Sequence, residues 1–268
     1  MLDIRSGAVV GVLNVTPDSF SDGGEFLDRR KAIARGMEMM GQGADLIDVG
    51  GESTRPGAES VPEAEELRRL VPVVEGLVAE GVPVSIATYT PGVARRALES
   101  GARVVNDVTG FRDPEMVKTV ADSNCGVVAM HMQGTPLDMH LDPSYENVVG
   151  EVRLYLVETA TRLAEAGIAR ERIAIDPGIG FGKRAAHSLA LLANLDVLAD
   201  TGYPVMVGTS RKGFLGRIVE ADGRDALDRA TAVTTALAYT RGVRLFRVHD
   251  VPKSRDALRV AGAIVTNQ

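Results

Sequence analysis

The stretch Arg172-Ile-Ala-Ile-Asp176-Pro-Gly-Ile-Gly-Phe-Gly-Lys183 decides the fold. A short apolar strand runs straight into a carboxylate, and a glycine-rich turn carrying a lysine follows at once. A strand tip with a charged pair and almost no side-chain bulk is poor core material and good ligand-binding material. At least five other apolar strands of the chain end in Asn, Asp, Glu, Arg, Lys or His.

On either side of this stretch, short β-branched runs alternate with longer segments of helical period. Strands are expected near 8–14, 45–49, 83–88, 103–107, 126–131, 172–176, 204–208 and 243–248. Helices are expected near 28–42, 63–80, 91–100, 113–122, 145–166, 187–200, 225–239 and 253–265. Pro62 and Glu63, Asp113-Pro114, and Asp225 mark helix starts, where acidic residues and early prolines suit an N-terminus. This alternation implies right-handed βαβ units and a parallel sheet. Eight units of roughly 30 residues favour a closed (β/α)8 TIM barrel, with its active site at the C-terminal ends of the strands. An open doubly wound sheet would need an early GxGxxG turn opening a helix, and none is present. With 268 residues, 45% of them hydrophobic, and no linker-like tract, a single domain spanning 1–268 is expected.

A net charge of −6 and the absence of tryptophan argue against nucleic acid, whose phosphates need a basic face and whose bases need aromatic platforms. Anions must instead be met by a few local Lys and Arg side chains. Cys125 is the single cysteine, so no intrachain disulfide forms, which fits a reducing cytoplasm. The start, Met1-Leu-Asp-Ile-Arg5, lacks a signal-peptide stretch, and no apolar run approaches the roughly 18 residues of a membrane span. A cytoplasmic protein with small-molecule substrates and no membrane partner is expected.

The strand ends carry the chemistry. The first strand ends at Asn14 and leads into a long, polar, glycine-bearing loop that suits a lid. The second ends in Asp48 and leads to Thr54-Arg55-Pro56, where an arginine beside hydroxyls can clamp a carboxylate or phosphate bidentately. Asn106 and Asp107 end the fourth strand, Met130, His131 and Gln133 follow the fifth, and Asp176 ends the sixth. Ser210, Arg211 and Lys212 follow the seventh. Arg247 and His249 belong to the eighth, in the barrel region that often binds phosphate.

Five segments together, Asn14-Val-Thr-Pro-Asp-Ser-Phe-Ser-Asp-Gly-Gly24, Gly50-Gly-Glu-Ser-Thr-Arg-Pro-Gly57, Asp176–Lys183, Ser210-Arg-Lys212 and Arg247-Val-His-Asp-Val251, resemble the dihydropteroate synthases. The resemblance runs over essentially the whole chain, with the motifs in family order. It implies condensation of 6-hydroxymethyl-7,8-dihydropterin diphosphate with p-aminobenzoate to 7,8-dihydropteroate and pyrophosphate. It also implies a pterin site at Asn106, Asp176, Lys212, Met130 and position 87. The p-aminobenzoate pocket would draw on Thr54, Arg55, Pro56, Phe181 and Lys212. Asn14, Arg55, Arg247 and His249 would meet the diphosphate, and Asn14 would help hold Mg2+, which prefers oxygen ligands, waters and substrate phosphates. Catalysis would rest on Lys212, Arg247, His249 and Asp176, through charge stabilisation more than a dedicated base. Loops 16–24 and 51–57 would close over the site. A homodimer through the later helices is the family's usual state.

One position departs. The third strand ends Val84-Ser-Ile-Ala87, where the family pattern has aspartate. Alanine can neither accept a hydrogen bond nor carry charge, and losing one preorganised group costs on the order of 10²–10³ in rate. An introduced substitution, a weakened paralogue, and an enzyme using another carboxylate are the competing readings. Two other functions stand beside the synthase: a non-catalytic pterin-binding paralogue, and a methyltetrahydrofolate:corrinoid methyltransferase, which has no use for Arg55, Arg247 or His249.

Several residues admit plainer roles. Asp48 and Asp107 can brace loops, Lys183 and Arg211 can be solvated, and His131 can be a rim residue. His140 and His187 read as surface. Four histidines with no partner at ligand spacing make zinc a poor fit. Cys125 reads as a small buried hydrophobe, Glu63, Glu65, Glu66, Arg68 and Arg69 as a solvated helix face, and Ser188 as a cap at the start of the sixth helix.

Overall fold

The computed structural model of the chain describes residues 3–15, 24–51 and 61–267. Eight parallel strands form one sheet: β1 (Ala8–Asn14), β2 (Leu46–Gly50), β3 (Val84–Ala87), β4 (Val104–Asp107), β5 (Gly126–Met130), β6 (Ile173–Asp176), β7 (Met206–Val207) and β8 (Leu245–Val248). Their order is β6-β5-β4-β3-β2-β1-β8-β7. A parallel bridge between Ile175 and Val205 brings the two ends of that series together and rounds the sheet into a barrel.

The helices are α1 (Gly24–Gly41), α2 (Glu63–Ala79), α3 (Pro91–Glu99), α4 (Pro114–Ala121), α5 (Val148–Glu165), α6 (Ala185–Ala193), α7 (Leu195–Ala199), α8 (Gly213–Val219), α9 (Arg224–Thr240) and α10 (Val251–Val265). Local chemistry sets several starts. Asp113 accepts from the Glu115 amide ahead of α4, and Asp250 accepts from the Lys253 amide ahead of α10, each with a proline in the first turn. Among the described residues no helix is long and apolar enough to cross a membrane.

Three expectations need correction. The helix expected over 187–200 is two, α6 and α7, broken at Asn194, whose backbone leaves the helical region and whose side chain bonds back to the Ala190 carbonyl. The strand expected over 204–208 is two residues long, because Pro204 has no N–H to give a ladder and Gly208 follows. Helix α8 has no counterpart among the expected helices, because Gly213 and Gly216 dilute the helical signal in its seven residues.

Strand parity divides the barrel. Ile47, Val49, Val84, Ile86, Val105, Ile173, Ile175, Phe246 and Val248 join the large core between sheet and helices. The alternate positions point inward, since side chains along a strand switch faces with period two. At the N-terminal end of the barrel Ala8, Val128, Ala174, Met206 and Leu245 plug the interior. Continuing that parity towards the C-terminal ends gives Asn14, Asp48, Ala87, Asn106, Met130, Asp176 and Arg247. Polar chemistry and apolar plug thus share one interior, stacked along the barrel axis.

Candidate active site

Asp176 ends β6 with its carboxylate buried, and its Oδ1 accepts from the Gly178 amide at 2.7 Å. Burial pushes this carboxyl up to about 6, against the opposing pull of the Gly178 bond and the charges of Lys212, Arg247 and Lys183. Lys212 follows β7. Burial pushes its ammonium down to about 8, Arg247 adds to the effect, and Asp176 opposes it. Its Nζ lies 4.1 Å from the centroid of the Phe181 ring. Its stem runs beside Gly180, where a Cβ would stand 3.4 Å from Lys212 Cδ. Phe181, Met130, Met132 and Met139 form a small apolar cluster at this mouth.

A second set meets across the barrel. Asp48 is fully buried, and its Oδ2 accepts from Asn106 Nδ2 at 3.2 Å and from Arg247 Nε at 2.7 Å. Oδ1 of Asp48 is buried with no hydrogen-bond partner among the described residues. Asp48 is therefore no loop brace. Asp107 is: it has the opposite strand parity, and it accepts from the Thr109 amide and hydroxyl and from the Phe111 amide. Its burial raises its pKa despite those bonds.

At the end of β8 the His249 ring is set by Ser210. The serine Oγ accepts from the His249 amide at 3.0 Å and pairs with Nδ1 at 2.9 Å. With Ser210 donating to Nδ1, the neutral ring keeps its proton on Nε2, a donor suited to an anion. In the sequence Ser210 stands out only as part of the Ser210-Arg-Lys212 motif. Its place two residues before Lys212 at a strand tip was the available signal.

Lys183 is not solvated. It is buried, with Nζ 2.9 Å from His131 Nδ1, and His131 is buried as well. Arg211 is half-buried and forms a two-point pair with buried Asp228, which makes it structural. Glu66 is also buried, contrary to a fully solvated α2 face. It packs over Gly51, where a Cβ would come within 3.2 Å of Glu66 Cγ. Ser188 is a buried residue inside α6, and the N-cap there is Arg184. His140 is exposed as expected, whereas half-buried His187 stacks edge-on with Tyr145 and accepts from the Arg184 amide. Cys125 is buried.

Ala87 ends β3, half-buried, in register with Gly50 on one side and Asn106 on the other. Asn14 ends β1, and its Oδ1 would lie 3.7 Å from a Cβ at Gly50. Asn14 is half-buried at the strand end, and a single amide oxygen suits a hard cation completed by phosphate and water. No group of three or more His, Cys, Asp or Glu able to hold a metal occurs among the described residues. Thr54, Arg55 and Pro56, and loops 16–24 and 51–57 apart from Gly24 and Gly51, lie outside the described residues.

This mouth offers paired acceptors in Asp176 and Asn106, cations in Lys212 and Arg247, and an apolar wall. The profile of the family described as "Pterin binding enzyme" matches residues 10–249. Dihydropteroate synthase of Mycobacterium leprae is 48% identical over 262 residues, covering 95% of this chain and 92% of that protein. The structure of Xanthomonas albilineans dihydropteroate synthase with 4-aminobenzoic acid superposes with a TM-score of 0.92 at 44% identity, covering 98% of this chain and 94% of that one. The same organism's enzyme in complex with 7,8-dihydropteroate gives a TM-score of 0.89 at 41% identity, covering 98% and 95%. With a barrel of the same shape and a match over nearly its full length, the chain belongs to the pterin-binding enzymes, in the dihydropteroate synthase family.

Proposed function

We infer that the chain condenses 6-hydroxymethyl-7,8-dihydropterin diphosphate with p-aminobenzoate, releasing pyrophosphate. The observation that carries this reading is the convergence of Asp176, Asn106, Lys212 and Arg247 at one end of the barrel. A pterin edge presents N–H donors beside a ring oxygen and nitrogen. Asp176 and Asn106 supply acceptors for the donors, Lys212 faces the oxygen and nitrogen, and Met130 packs on the ring face. Phe181 and the Lys212 stem line the arylamine's pocket; Thr54, Arg55 and Pro56, which the resemblance assigns to it, lie outside the described residues. Arg247 and His249 take the diphosphate.

In the reaction the arylamine nitrogen attacks the pterin methylene, the C–O bond to the diphosphate breaks, a C–N bond forms and the amine gives up a proton. Arg247, held by Asp48, and His249, held by Ser210, stabilise the charge gathering on the leaving oxygen without reorganising. Bound Mg2+, with Asn14 as its protein ligand, would supply further neutralisation of the diphosphate. Chelation should then stop turnover while leaving binding of the diphosphate-free pterin intact.

A homodimer fits the outer surface. Val233 and Leu237 of α9 and Val260 and Ile264 of α10 are exposed, spaced four apart on two helices that pack on each other. Light scattering would read the state, and Leu237→Glu would shift it towards monomer.

The deciding experiment is pyrophosphate release with both substrates present. Release that requires both supports the reading. Tight pterin binding with no release from this chain or from Ala87→Asp would overturn it in favour of a binding paralogue.

A further inference from the structure

The glycine turn after β6 is held from beneath by a buried cation that the condensation does not use. Lys183 is 5% exposed and has no salt bridge among the described residues. Its Nζ reaches His131 Nδ1 at 2.9 Å, the Phe181 carbonyl at 2.9 Å and the His131 carbonyl at 3.3 Å. Burial pushes Lys183 down to about 7, against the pull of Asp176. In its ammonium form it has three N–H donors, and here it has three acceptors. For Nδ1 to accept, the ring must be neutral with its proton on Nε2. Burial and the Lys183 charge keep it so. Tyr155 packs edge-on against the ring at 4.9 Å between centroids, which fixes its plane.

The turn is built on glycines. Gly178, Gly180 and Gly182 have φ of 64°, 79° and 56°, left-handed values that favour glycine. Beside the Lys183 bond, the turn is tied by the Phe181 amide on the Gly178 carbonyl at 3.0 Å and the Tyr145 hydroxyl on the Gly182 carbonyl at 2.7 Å. Phe181 sits between the last two, its carbonyl tied to Lys183 and its ring facing Lys212 Nζ.

We propose that Lys183 and His131 are a positioning pair: through the Phe181 carbonyl they hold the Phe181 ring against Lys212, and so set the wall that receives the arylamine. This rests on the reading that Phe181 and Lys212 line the p-aminobenzoate pocket. Neither member of the pair touches substrate. The pterin's own acceptors, Asp176 and Asn106, take their hydrogen bonds elsewhere, from the Gly178 amide and with Asp48, and Lys183 reaches Asp176 only through its charge, after those of Lys212 and Arg247. Loss of the pair therefore separates the two substrates.

The test uses the full chain as Lys183→Met, His131→Leu and His131→Asn, the last keeping an acceptor near the Nδ1 position. Lys183→Met and His131→Leu should raise the p-aminobenzoate KM about tenfold or more, with the pterin diphosphate Kd moving less than about threefold. His131→Asn should stay close to the parent. If Lys183→Met does not fold, the two His131 variants carry the same comparison. Position is read directly, without turnover, from the 19F resonance of Phe181 in protein labelled with 4-fluorophenylalanine, assigned through Phe181→Leu. That line should shift or broaden in Lys183→Met and His131→Leu, and stay as in the parent in His131→Asn. An unchanged line, or a pterin Kd that moves in step with the p-aminobenzoate KM, would overturn the proposal. A parent that releases no pyrophosphate would sink the reading of the reaction instead, and the fluorine line would still decide the pair.

Discussion

Asp48 and Arg247 stand 199 residues apart in the chain and meet through a 2.7 Å hydrogen bond between Oδ2 and Nε. The same oxygen holds Asn106. One carboxylate thus orients a residue proposed for the pterin edge and another proposed for the diphosphate.

Removing that carboxylate should cost both stability and binding. Asp48→Ala is expected to destabilise by roughly 2–3 kcal/mol. That is less than for a fully enclosed pair, because Arg247 keeps 27% of its side chain exposed. The pterin diphosphate Kd should rise about tenfold or more. Denaturant unfolding and calorimetry measure the two, and a variant as stable and as tight as the parent would show the carboxylate to be dispensable.

Pterin binding should follow the Asp176 carboxyl, whose folded value is about 6. Ring N–H donors need the anionic form, so protons compete with the ligand below that pH. Affinity should be flat above about pH 7 and fall about tenfold per pH unit well below 6. Asp176→Asn should bind weakly and without this slope. The linked stability term has a definite sign. A folded pKa raised from 3.8 means the contribution is present below about pH 4 and lost as pH rises through 6. His131, held down to about 3, acts with the opposite sign over the same range, so binding is the cleaner readout.

Ala87→Asp should raise turnover. The alanine is half-buried beside Asn106, so a carboxylate there would reach the mouth of the site. The expected gain in pyrophosphate release is on the order of 10²–10³ if charge on the pterin needs that partner. Equal, robust rates in both proteins would show that the chain manages without it, leaving Asp48 and Asp176 as the carboxylates at hand.

Gly178→Ala tests the turn. Its φ is 64°, and a Cβ would stand 2.0 Å from the His131 carbonyl oxygen, a backbone atom that cannot swing away. Left-handed strain alone costs on the order of 1–2 kcal/mol, and the clash adds to it. The melting temperature should fall and pterin affinity with it, since the Gly178 amide anchors Asp176. A variant melting with the parent would mean that the turn rearranges freely.

Much of this site was legible one strand at a time. A run such as Ile173-Ala-Ile-Asp176 declares its length, its inward parity and its polar tip, because side chains alternate with period two. The same parity separates Asn106, which faces the mouth, from Asp107, which braces its own loop. Eight such runs spaced by helices determined a parallel barrel and which of its ends carries the chemistry. Charge, apolar content and the five motifs likewise needed only the linear chain. Local composition did not determine the break at Asn194 or helix α8, where weak signals were settled by packing. Tertiary structure alone decided who meets whom. Barrel closure brings Asp48 to Arg247 and Ser210 to His249, and it buries Lys183 against His131 where the sequence allowed a solvated lysine. The reason is physical: a strand's periodicity is a property of neighbouring residues, whereas burial, and the pKa shifts that follow it, depend on groups from other strands that the barrel brings together.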